Sequence, residues 1–156
     1  MENSNPGGTS KDRAAKYILD MAEKEGFLRP GMNVIEGTSG STGISLAYQC
    51  KSRGYQLHVV MPDDQAEEKR VLLEKLGAIV HIVPTSSIAN NNHYVKRAMQ
   101  LAKELDGFFV NQFENLHNAD IHYQSTGPEL WQQMSGDIDG VVMSAGTGGT
   151  IAGISK

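Results

Sequence analysis

At 156 residues, with 39% hydrophobic and 21% charged side chains, the chain can bury one core but has little room for two complete domains. A net charge of −4 argues against nucleic acid or an anionic membrane surface as the main partner. The single cysteine, Cys50, excludes an internal disulfide, no segment reaches the roughly 20 apolar residues of a membrane span, and the polar start Glu2–Asn5 is not a signal peptide. The expected setting is intracellular: cytoplasmic, or mitochondrial if a targeting segment precedes this sequence.

Asn5, Pro6, Gly7, Gly8 and Thr9 read as a glycine-rich turn, with Ser10 as the N-cap of a helix running from Lys11 to about Glu25. Ala14, Ala15, Ile18, Leu19 and Ala22 form its apolar face, and Gly26 stops it. Lys11 is charged against the sense of that helix start. The positive end of the macrodipole and the neighbouring Arg13 disfavour its ammonium, which suits a lysine that condenses with a carbonyl. A solvated lysine, with Asp12 offsetting the dipole, is the alternative that the same residues leave open.

Asn33 to Glu36 reads as a strand, Gly37 to Gly43 as a glycine and hydroxyl loop, and about Thr42 to Arg53 as a helix stopped by Gly54, with Cys50 in its core face. Leu57 to Met61 is the next strand, ended by Pro62. Asp63 and Asp64 read as the cap of a third helix, which carries a charged face at Glu67, Glu68, Lys69 and Arg70 and closes at Gly77. A strand at Ile79 to Val83, a polar loop, a helix at about Tyr94 to Leu105 and a strand at Phe108 to Val110 follow. Tyr123 and Trp131 are expected to pack. Val141 to Met143 reads as a further strand, followed by a second glycine and hydroxyl loop, Ser144 to Thr150, that opens a helix at Ile151.

Strands alternating with helix-length segments predict an α/β fold with a parallel sheet covered by helices on both faces. In such sheets ligands bind beyond the carboxyl ends of the strands, so the loops at Thr38, Gln112 and Gly146 are expected to face one crevice. Loops of this kind present backbone N–H groups and hydroxyls to an anion. No metal is expected: His58 and His81 fall on separate strands, and His117 and His122 are five apart, off the spacing of a shared helix face. A nucleotide P-loop is set aside because no Gly-Lys-Ser/Thr follows Gly146.

Taken in order, these segments resemble the cysteine synthase and cystathionine β-synthase family, the fold-type II enzymes that use pyridoxal 5′-phosphate, with the tryptophan synthase β-like fold. The resemblance implies that Lys11, after its Asn-Pro-Gly-Gly turn, bonds the cofactor covalently. It implies that Thr38, Ser39, Gly40, Ser41 and Thr42 form the loop that grips the substrate carboxylate, helped by Gln112, and that Gly146, Thr147, Gly148, Gly149 and Thr150 cradle the cofactor phosphate. Two departures stand out. Ser41 takes the place of an asparagine that bonds the cofactor's ring hydroxyl in the family, and serine is shorter. The family's catalytic unit also has a strand region before the lysine motif and roughly another domain after the phosphate loop. The expectation is therefore an incomplete fold: residues 1–136 as the smaller lobe and residues 137–156 as the start of the larger, with the crossing at Gly136 to Gly140.

The implied reaction, for the intact parent, is β-replacement on O-acetylserine or serine by a thiol or sulfide, giving cysteine. Cystathionine β-synthase and serine or threonine dehydratase are the enzymatic alternatives; a truncated fragment that holds the cofactor without turnover is the other. The family relationship implies a homodimer for the full-length parent.

Overall fold

The computed structural model describes Met1 to Lys156 and divides into two compact units, Met1–Asn111 and Gln112–Lys156. The division falls ahead of the crossing expected at Gly136 to Gly140.

The first unit is built on a four-stranded sheet in the order β3-β2-β1-β4, with every pair parallel. Its strands are β1 (Asn33–Gly37), β2 (Gln56–Pro62), β3 (Ile79–Val83) and β4 (Phe108–Phe109). Register pairs Val34 with both Leu57 and Phe108, and Val60 with His81. The helices are α1 (Lys11–Lys24), α2 (Ser41–Arg53), α3 (Glu67–Lys75) and α4 (Tyr94–Glu104).

Side chains alternate across a strand, so each central strand feeds two cores. On one face Val34, Leu57, Val59 and Met61 pack with Ile18 and Leu19 of α1, Leu46 and Cys50 of α2, and Leu73 of α3. On the other, Ile35 and Val60 pack with Ala98 and Ala102 of α4. Each large aliphatic side chain buried in this way contributes about 1.5–3 kcal/mol. The two alanines let α4 lie close: a Cβ on Gly37 would sit 2.8 Å from the Val95 Cα. Gly54, at φ 76°, ends α2 in the left-handed conformation that closes such helices. The parallel sheet with helices on both faces is thus the α/β architecture expected.

The chain steps from β1 to β2 to β3 in one direction, then crosses by α4 to place β4 on the far side of β1. The reversal lies between the carboxyl ends of β1 and β4, where open parallel sheets take their ligands. Thr38 directly follows β1 there.

The second unit is helical: α5 (His117–Ile121), a π-helical turn (His122–Thr126), α6 (Gly127–Gln133) and α7 (Gly149–Ile154). Val141 to Met143 does not form the expected strand, and Val142 is fully exposed. A strand needs a neighbour for its N–H and C=O groups, and this unit contains no other strand. Two further expectations are corrected. Tyr123 and Trp131 are not packed inside: Trp131 is 61% exposed, and the Tyr123 ring lies 5.0 Å from the Lys156 ammonium. Asp63 does not cap α3, whose N-cap position is Ala66; its carboxylate accepts from the Thr85 N–H at 2.9 Å and hydroxyl at 3.0 Å, tying the ends of β2 and β3. No helix is long and apolar enough to cross a membrane.

Candidate active site

The turn before α1 is closed by the Gly8 N–H, which donates to the Asn5 carbonyl at 2.8 Å, with Gly8 at φ 73°. The Asn5 amide donates to the Thr9 carbonyl at 3.0 Å and to the Glu2 carboxylate at 2.9 Å. The cap is not the expected one. Ser10 sits at the N-cap position in helical conformation and makes no side-chain cap bond; the Thr9 hydroxyl accepts from the Lys11 N–H at 2.8 Å instead.

Lys11 is half-buried, and burial holds its amine below the ordinary lysine value. Its amine makes no hydrogen bond or ion pair. Arg13 is not the cause expected from the sequence, because Glu2 binds its guanidinium in fork geometry: Nε at 2.9 Å and Nη2 at 2.8 Å. A lysine taken out of water with no carboxylate to hold its charge fits a group whose free amine must react with a carbonyl.

In the loop after β1, Thr38 and Thr42 are buried. The Thr38 N–H continues the ladder to the Val60 carbonyl at 3.0 Å, and its hydroxyl accepts from the Gly40 N–H at 3.2 Å. The Ser39 carbonyl accepts from Lys69 Nζ of α3 at 3.3 Å. Helix α2 starts at Ser41 with no side-chain cap and no acid in its first turn. No acid therefore offsets the positive end of its dipole, which suits an outside anion such as a carboxylate. Thr9 and Ser45 link this helix to the lysine turn, their hydroxyls 3.4 Å apart.

In the second unit, Gln112 and the Thr147–Gly149 segment border a cavity of about 260 Å³. Asn118 joins them: its Nδ2 donates to the Gln112 carbonyl and to the Thr147 hydroxyl, each at 2.9 Å. The same hydroxyl oxygen also accepts from the Gly149 N–H at 3.4 Å, so the Thr147 O–H is left to donate outward. Thr150 lies 3.2 Å from Nε2 of the fully buried His122, whose Nδ1 meets the Thr126 hydroxyl at 2.8 Å. Gly148, at φ 79°, is the N-cap of α7, which again has no side-chain cap and no acid in its first turn. Gly146 is exposed. The amides and hydroxyls of this segment, with no acid in the first turn of α7, are the chemistry of a phosphate cradle, although Glu114 also lines the cavity.

The candidate residues thus fall into two groups, each within its own unit: Lys11 with Thr38–Thr42, and Gln112 with Gly146–Thr150. Their supports carry no signature in the sequence. Thr9, Ser45, Lys69 and Asn118 act through contacts that no motif announces, and nothing local separates His122 from a packing histidine. His58 and His81 are neighbours across β2 and β3, Nδ1 to Nε2 at 3.1 Å. No group of three metal-ligating side chains accompanies them.

The chain is similar to several known proteins. A cysteine synthase from Dictyostelium discoideum is 49% identical over 156 residues, covering 99% of this chain and 41% of the relative. One from Staphylococcus aureus is 41% identical, covering all of this chain and 50% of the relative. The crystal structure of an O-ureido-L-serine synthase matches with a TM-score of 0.91 at 34% identity, over 98% of this chain and 48% of that one. A hydrogen sulfide-producing enzyme from Fusobacterium nucleatum matches with a TM-score of 0.89, also at 34% identity, over 99% of this chain and 50% of that one. The chain spans half or less of the length of these relatives. The profile of the pyridoxal-phosphate dependent enzymes matches residues 1–156, end to end, and the chain belongs to that family.

Proposed function

We propose that the chain carries the lysine and anion-binding loops of a cysteine synthase-like enzyme, which replaces the β-substituent of O-acetylserine or serine with a thiol or sulfide. The observation that carries this reading is Lys11, half-buried after a fully bonded glycine turn with an unpartnered amine. The names of the relatives support it.

In this reading Lys11 Nζ and the Gly146–Thr150 segment hold pyridoxal 5′-phosphate, with Ser41 directed to its ring hydroxyl in place of the family asparagine. When bound, the cofactor supplies the electron sink that makes the substrate α-proton acidic. Thr38, Ser39, Gly40, Thr42 and Gln112 hold the substrate carboxylate and so fix the direction of the α-C–H bond. Lys11 Nζ then takes the α-proton, a step helped by an amine kept below its ordinary basicity by burial. The Thr147 O–H, with both acceptor sites of its oxygen in use, donates to the phosphate. The resemblance further implies that the whole protein is a homodimer.

The test is cysteine formation from O-acetylserine and sulfide by the whole protein supplied with pyridoxal 5′-phosphate. Activity that falls by at least roughly 10²–10⁴-fold in Lys11→Ala is expected. The 156-residue chain, folded and binding the cofactor at Lys11 yet forming no product, would instead support the fragment reading, cofactor binding without turnover.

A further inference from the structure

The first turn of α1 begins with three charged residues that meet different fates. Arg13 is held by Glu2, Lys11 by nothing, and Asp12 reaches back to accept the Gly7 N–H with Oδ2 at 2.6 Å. An acid in the first turn of a helix gains from the macrodipole, and that alone would account for an aspartate whose carboxylate faces water. Asp12 does not face water. It is only 8% exposed, and its Oδ1 is buried with no hydrogen-bond partner. Leaving such an acceptor unsatisfied is costly, so the carboxylate's location has to be supported by what it holds.

What it holds is the turn. A Cβ on Gly7 would collide with Asp12 Oδ1, so Gly7 is small because the carboxylate occupies that space. Gly8 is glycine for the other reason, its left-handed backbone. The Gly7 bond, the Gly8 to Asn5 bond and the Thr9 cap on the Lys11 N–H together fix the backbone from Asn5 to Lys11.

We propose that Asp12 is a positioning residue: its carboxylate clamps the Asn5–Gly8 turn against the start of α1 and thereby keeps the Lys11 side chain half-buried. The proposal rests on reading Lys11 as the cofactor lysine.

It is tested without cofactor, on the full chain, by following the pH midpoint at which a small amine-directed reagent modifies Lys11, resolved by mass spectrometry. In Asp12→Ala the turn opens, Lys11 gains water and the midpoint rises towards the ordinary lysine value. Asp12→Asn removes the charge but keeps an acceptor for the Gly7 N–H, so its midpoint stays at or slightly below that of the wild type. Gly7→Ala pushes the carboxylate away from the other side and raises the midpoint as Asp12→Ala does, and the double variant goes no further than either alone. A purely electrostatic role for Asp12 predicts the same downward shift in Asp12→Ala and Asp12→Asn, and that result overturns the proposal. So does an unchanged midpoint in folded Asp12→Ala. Should Asp12→Ala not fold, Gly7→Ala decides: a wild-type midpoint there contradicts the clamp. Borohydride trapping of the cofactor on Lys11 is a separate readout, so failure of the cofactor reading and failure of the clamp are distinguishable.

Discussion

The hydroxyls of Thr9 and Ser45 lie 3.4 Å apart, and through them the turn that presents Lys11 is joined to the helix that follows the Thr38–Thr42 loop. Thr9 does two things at once, since its oxygen also caps the Lys11 N–H. Thr9→Val should therefore lower stability by about 1 kcal/mol, the usual worth of a capping hydroxyl, and Ser45→Ala by less. Urea unfolding of the single and double variants checks this. The double-mutant cycle should show a non-zero coupling, and strictly additive losses would mean that the two hydroxyls act independently.

Cys50 of α2 is buried in the core, and burial pushes its thiol up to about 12. The thiolate is the reactive form, so the native protein should be silent towards a disulfide reagent at neutral pH. Its thiol should appear only with global unfolding, at the same denaturant concentration as the loss of helical circular dichroism. Rapid labelling of the native protein would contradict this burial.

His58 and His81 share a hydrogen bond between β2 and β3, and burial holds both rings below the ordinary histidine value, with His81 lowering His58 further. The folded state therefore keeps them neutral when the unfolded chain begins to bind protons. Their contribution is complete above an unfolded value of about 6.5 and is lost as the pH falls from there through the folded values. The melting temperature should decline as the pH falls below about 6.5. His81→Gln should flatten that decline, and an equal slope in the variant would remove the pair as its cause.

Gly153 of α7 faces the backbone of α5: a Cβ there would collide with the Ala119 carbonyl and lie 2.6 Å from the His122 Cβ. Gly153→Ala should destabilise residues 112–156 by about 1–3 kcal/mol, seen as faster hydrogen exchange in α5 and α7. Gly140, with nothing near its Cβ position and no left-handed backbone, should accept alanine without that effect.

The first unit was readable because each β-branched run is bounded by glycine or proline and each helix carries one apolar stripe: Ile18 and Leu19 declare the buried face of α1 as plainly as Gly54 declares the end of α2. Val141 to Met143 has the same composition as those strands and is not one, because strand formation belongs to a pair and composition to a single segment. The helical run from His117 to Gln133 is not legible in the sequence, for a different reason. Its π-helical turn, followed by Gly127 and Pro128, breaks the 3.6-residue period that would have revealed it.

At the candidate site, glycine and hydroxyl residues announced the loops, since few other side chains allow a backbone to approach an anion. The residues that hold the loops were silent. Lys69 looks like part of a charged helix face until α3 places it on the Ser39 carbonyl, and Asn118 belongs to no motif until it bridges Gln112 and Thr147. Ser10 and Asp63 show the converse. Each is a good cap by type, and in each case a neighbouring threonine changes the outcome: Thr9 caps the Lys11 N–H in place of Ser10, and Thr85 takes the Asp63 carboxylate.

The assignment of Lys11 as the cofactor lysine is tested by incubating the chain with pyridoxal 5′-phosphate, reducing with borohydride and mapping the modified peptide by mass spectrometry, with Lys11→Ala in parallel. One dominant reduced adduct is expected, on Lys11, accompanied by visible absorbance that is absent from the variant. An adduct spread over exposed lysines such as Lys16 or Lys103, unchanged by Lys11→Ala in a folded protein, would contradict it.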